Sequence, residues 1–116
     1  MNCQTIILGT EIKLRIEMKP IGNITMENCD FILEAYSGNS KKRLILKKDS
    51  SAVILDPDSK GNAYIFLIDS NIIGPGNLKC KITLFVPDSD FYDYKRTEVS
   101  ILNPNIVIKN EEVWGV

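Results

Sequence analysis

Hydrophobic and polar residues alternate along much of this chain. In "EIKLRIEM", 11–18, Ile12, Leu14, Ile16 and Met18 point one way, and Glu11, Lys13, Arg15 and Glu17 point the other. A period of two marks a half-buried strand. "LKCKITLFV", 78–86, repeats the pattern, with Leu78, Cys80, Ile82, Leu84 and Val86 inward and Lys79, Lys81, Thr83 and Phe85 outward. "DFILEAY", 30–36, predicts another strand, and "RLILKK", 43–48, its hairpin partner across "SGNSKK". "AYIFLID", 63–69, is mostly apolar, as a central strand requires. Shorter strands are expected at 4–8, 51–55, 97–102 and 105–109, and one helical turn within "SNIIGPGN", 70–77.

Turn signals recur about every 8–12 residues and no long helical period competes. The expected fold is all-β: an immunoglobulin-like β-sandwich of seven or eight short strands, with a small barrel as the alternative. A chain of 116 residues fits one domain. Its expected bounds are 1–109, with 110–116, "NEEVWGV", as a C-terminal tail that packs on a partner. Trp114, the one Trp, either covers a core edge or anchors that contact.

Composition narrows the function. With 44% hydrophobic and 25% charged residues, the chain is expected to fold rather than stay disordered. Fourteen basic against fifteen acidic side chains give no global case for nucleic acid. No apolar run is long enough to span a bilayer, and the opening "MNCQTIILGTEIKLRIEM" lacks the basic leader of a secretory signal. Histidine is absent, which removes the usual Ser-His-Asp and Cys-His chemistry. Cys3, Cys29 and Cys80 form no CxxC pair, and buried reduced thiols are expected. "DPDSKG", 56–61, imitates the start of a calcium loop, but Lys60 and Leu67 stand where ligands are needed. It reads as a turn with an Asp side chain bonded to nearby backbone. "GPG", 74–76, precedes a strand and is no phosphate cradle. We expect no enzyme activity, no catalytic residues, no metal site and no cofactor.

Chemistry concentrates in "PDSDFYDYKRTEV", 87–99. Asp88, Asp90 and Asp93 could converge on a cation, but Lys95 and Arg96 lie close enough to neutralise them. Phe91 is expected to plug the end of the sandwich. Tyr92, Tyr94 and Arg96 are the expected partner-contact residues, together with Trp114. A carbohydrate-binding module using the aromatic and acidic loop 87–96 is the alternative. The basic run "KKRLILKK", 41–48, reads as a solvated hairpin face that also suits an acidic protein neighbour.

Three stretches carry a resemblance: "LGTEIKLRIEMKPI" (8–21), "CDFILEAY" (29–36) and "YIFLIDSNIIGPGNLKCKITLFVPDSDFYDYKRTEV" (64–99). Their order resembles small β-sandwich structural proteins of Bacteroidetes-infecting (crAss-like) tailed phages. It is also similar to the immunoglobulin-like base modules of phage baseplate upper proteins. Gly74-Pro75-Gly76, Pro87-Asp88, Asp90-Phe91 and Arg96-Thr97-Glu98 carry most of the likeness. The resemblance implies a virion structural protein made in the bacterial host cytoplasm: an auxiliary or decorating capsid protein or a fibre-anchoring adaptor. Its implied partners are other virion proteins, capsid or fibre and tail subunits, with copies able to associate on the particle. No specific nucleic acid and no membrane are implied. Head and tail locations both stay open.

Overall fold

The computed structural model describes residues 4–38 and 41–110. Its strands are β1 (Gln4–Ile7), β2 (Glu11–Glu17), β3 (Asp30–Ser37), β4 (Arg43–Lys47), β5 (Val53–Leu55), β6 (Ala63–Asp69), β7 (Gly76–Pro87), β8 (Lys95–Leu102) and β9 (Ile106–Lys109). One helical turn, α1 (Ser70–Ile73), and two short 3-10 turns complete the regular elements among the described residues.

The strands form two facing sheets. The smaller has the order β2-β6-β5. The larger runs β1-β9-β7-β3-β4, with β8 also on β7. The fold is a β-sandwich, with the second, fifth and sixth strands in one layer and the third and seventh in the other. Among the described residues there are nine strands against the seven or eight expected of the fold: each of the short segments forms one, and the final edge is split between two of them. β9 pairs with β7 at Gly76 and Asn77, and β8 pairs with it from Cys80 to Pro87. The break at Asn103-Pro104 divides them, since Pro104 has no N–H for a ladder. β1 lies parallel on β9, with Gln4 opposite Ile106.

The inward set of the long alternation stands as expected: Leu78, Cys80, Ile82, Leu84 and Val86 are all buried. They pack with Phe31, Leu33 and Ala35 of β3 against Ile12 of β2 and Tyr64, Phe66 and Ile68 of β6. Phe31 joins the layers, its ring edge-on to Tyr64 at 4.8 Å and to Phe66 at 5.7 Å. Ser37 and Ser70, the buried polar residues among those described, are both bonded. Ser37 Oγ donates to the Pro75 carbonyl at 2.9 Å, and Ser70 Oγ accepts from the Gly9 N–H at 2.8 Å. Cys29 and Cys80 are buried free thiols. Burial pushes the Cys80 thiol up to about 11, so it stays protonated and packs as a small hydrophobe.

The two turns with suggestive sequences are structural. Asp56 caps the turn Pro57–Ser59: its Oδ1 accepts from the Asp58 N–H at 3.1 Å, and its Oδ2 accepts from Arg15 Nε at 2.8 Å. "SNIIGPGN" holds α1, capped by Asp69. No helix among the described residues is long and apolar enough to cross a membrane.

Candidate functional site

The β7–β8 hairpin carries most of the residues singled out in the sequence. Its ladder ends at Pro87 opposite Lys95, so residues 88–94 form the tip. The tip is held by its own backbone. The Asp88 N–H donates to the Tyr94 carbonyl at 2.8 Å, and the Tyr94 N–H to the Phe91 carbonyl at 2.9 Å. Asp88 Oδ1 accepts from the Asp90 N–H at 3.0 Å, and Asp93 Oδ1 from the Lys95 N–H at 3.2 Å. Tyr94 closes the loop with φ at 61°, a left-handed conformation that a bulky residue rarely adopts.

The acids do not gather. Asp88 pairs with Arg96, whose Nη1 donates to Asp88 Oδ2 at 2.9 Å. No group of three or more metal-ligating side chains occurs among the described residues. Arg96 thus neutralises one loop acid by direct contact, whereas Asp93 is met by the backbone N–H of Lys95.

One of the sequence expectations for this loop is corrected. Phe91 is no plug; it is 47% exposed, because the tip runs past the end of the sandwich and no core lies beneath it. Arg96 is half-buried at the base of the tip, where it pairs with Asp88. It lies opposite buried Val86, on the interior side of β8, and its Nε also stands 3.3 Å from Glu98 Oε1. Tyr92 is fully exposed and Tyr94 70% exposed. The structure therefore brings Tyr92 and Tyr94 together on the tip and places Arg96 behind it. Trp114 lies outside the described residues, as does the rest of the tail beyond Asn110.

β8 shows what the sequence reading missed. Its residues on the interior side are Arg96, Glu98, Ser100 and Leu102, opposite Val86, Leu84, Ile82 and Cys80. Its residues on the outer side are Thr97, Val99 and Ile101, and Val99 and Ile101 are 53% and 70% exposed. The usual alternation breaks down in the middle of the strand: Glu98 and Ser100 take the interior side, where they stay exposed, and Val99 and Ile101 take the outer side. The inward side tolerates polarity because the smaller sheet does not reach across β8. An open groove of about 380 Å³ lies there, lined by Ile16, Met18, Leu84, Glu98 and Ser100 among others. The outward side has no such account within one chain. The signal was present in "TEVSIL", where Val99 and Ile101 share parity with Thr83 and Phe85 across the hairpin.

Val99 and Ile101 continue onto neighbouring strands. One outward row runs Lys47, Ile32, Thr83, Val99; the next runs Ile45, Glu34, Lys81, Ile101. Tyr36 and Phe85 flank them. Around these apolar groups stand Arg43, Lys47, Lys79, Lys81 and Lys95, against Asp30 and Glu34. Five cations against two carboxylates make this face basic, although the chain has fourteen basic and fifteen acidic side chains. Some of these charges have partners. Lys81 Nζ lies 3.7 Å from Glu34 Oε2, and the Arg43 guanidinium covers the Tyr36 ring at 4.2 Å. Lys48, the last residue of the basic run, turns away to donate to the Glu27 and Cys29 carbonyls at 2.6 and 2.7 Å.

The smaller sheet's exposed strand β2 differs. Its outward residues are all charged, and Arg15 is engaged by Asp56 at 2.8 Å and Glu17 at 3.3 Å. The geometry therefore offers two exposed surface features: the aromatic tip, and the basic, partly apolar outer face of the larger sheet. No protein-family model matches the chain, and no curated protein matches it significantly.

Proposed function

We propose that this protein is a non-enzymatic structural subunit that works through protein–protein contacts. The observation that carries the reading is the exposed apolar pair on the outer side of β8. Exposed Val99 and Ile101 leave apolar area in water on a rigid sheet, and covering such area is what drives association. The exposed aromatic tip adds residue types enriched at interfaces. The resemblance in the sequence then suggests the setting: an auxiliary or decorating capsid protein, or a fibre-anchoring adaptor, of a tailed-phage particle.

The test is to locate the chain. Purified particles from an infected Bacteroidetes culture encoding it are expected to contain it in stoichiometric amount, with density for the sandwich on the capsid or tail. The Ile101→Thr, Val99→Thr variant is expected to fold and to be depleted from those particles. Absence of the chain from purified particles would refute the virion setting. Binding of a defined glycan by the isolated protein, lost with Tyr92→Ser, would instead favour the carbohydrate-binding reading.

A further inference from the structure

The tip and the face are complementary to each other, and one copy cannot bring its own pair together. The tip continues the β7–β8 ladder beyond its last pair, Pro87 with Lys95, so it projects along the strand axis. The outer face lies broadside to that axis, beside the same strands. A second copy has no such constraint.

The chemistry matches on three counts. The tip offers exposed Phe91, Tyr92 and Tyr94, and the face offers exposed Ile45, Val99 and Ile101. The tip carries the exposed acids Asp90 and Asp93, and the face has five cations against two carboxylates. Both surfaces are held in advance. The tip is closed by its own backbone bonds, and the face is the side of a hydrogen-bonded sheet. Pre-ordered surfaces lose little conformational entropy on contact.

We infer that the chain self-associates head to tail, the 88–94 tip of one copy docking on the outer face of the larger sheet of the next. The inference rests on the structural-subunit reading and names its partner as a second copy. Tip and face are different patches, so the contact is heterologous. It leaves a free tip and a free face at each step and propagates into a ring or a filament.

Sedimentation velocity of the purified protein over a rising concentration series tests this. The weight-average mass is expected to climb above the 13.1 kDa of one chain, and to fall back in high salt because the tip and face are oppositely charged. A tip variant, Tyr92→Ser with Asp90→Lys, and a face variant, Ile101→Thr with Lys79→Glu, are each expected to weaken association by about tenfold or more. The decisive arm mixes the two. The tip variant keeps an intact face and the face variant an intact tip, so the mixture is expected to form a dimer and nothing larger. Circular dichroism melts confirm that each variant is folded.

A wild-type chain that stays monomeric at every concentration overturns the inference. So does association that survives both variants, or a mixture that stays monomeric. The particle experiment separates the two proposals. A monomeric chain that still enters particles refutes self-docking and leaves the structural-subunit reading standing; a self-associating chain absent from particles refutes only the virion setting.

Discussion

Phe31 has no exposed surface, and its contacts with Tyr64 and Phe66 bridge the two sheets. Phe31→Ala removes the ring from the middle of the core and is expected to cost about 3–5 kcal/mol in chemical denaturation, with Phe31→Leu costing less. The buried thiols give a second residue-level expectation. Burial raises both Cys29 and Cys80, so neither supplies thiolate near neutral pH. In a Cys3→Ser variant, a disulfide reagent at pH 8 is expected to label neither in the native protein and both in denaturant. Rapid native labelling would contradict the burial. Because the folded Cys80 pKa is raised, its linkage contribution is complete below the unfolded thiol pKa and fades as pH rises towards about 11. Asp56 works in the opposite sense. The Arg15 hydrogen bond and then the Asp58 N–H hold its carboxyl below the ordinary carboxylate range. Its contribution is present above that range and lost as pH falls through the lowered value. Wild-type stability is therefore expected to fall more steeply below about pH 4 than that of Asp56→Asn, measured by denaturant titration across the acid limb.

At the scale of the element, the β7–β8 hairpin separates what the sequence shows from what only packing decides. Alternation alone identified the inward face of β7, because one strand flanked by two neighbours must turn a continuous apolar row to the core. The same rule failed at the tip. Placing Phe91 in the core assumes core beneath it, and local spacing does not reveal where a facing sheet ends. Arg96 was legible as a partner for the loop acids but not as an interior-side residue, since that depends on the register of Pro87 with Lys95. The Arg96–Asp88 pair is half-buried and spans the base of the tip. Arg96→Ala is expected to destabilise the fold by about 1–2 kcal/mol and to speed amide exchange across 88–96. On the exposed side of the same strand, Ile101→Thr is expected to change stability by less than about 0.5 kcal/mol. A large loss from Ile101→Thr would mean that the side chain supports the fold, and the argument for an open contact face would fail.

The whole molecule closes its sandwich with its most distant parts. β1 pairs with β9, and β7 collects β3, β8 and β9 along its two edges. This arrangement depends on long-range pairing, and neither partner's local sequence specifies the other; the alternations at 4–8 and 105–109 revealed two strands but not their parallel union. Long-range pairing also sets an order of stability. β3 and β7 have neighbours on both edges and lie against the buried side of β6. β1 is short, mostly exposed and bonded along one edge only. Strands whose backbone bonds are shielded on both sides open only with the whole fold, whereas edge strands open locally. Native-state amide exchange is accordingly expected to be slowest in β3, β6 and β7, and fastest among the strands in β1 and β8. Head-to-tail docking covers the outer side of β8 but leaves β1 alone. Raising the protein concentration should therefore slow exchange in β8 and in the 88–94 tip while β1 stays unchanged. Equal slowing of both strands would point to general stabilisation of the sandwich, and slowing of neither would leave the tip and face without each other.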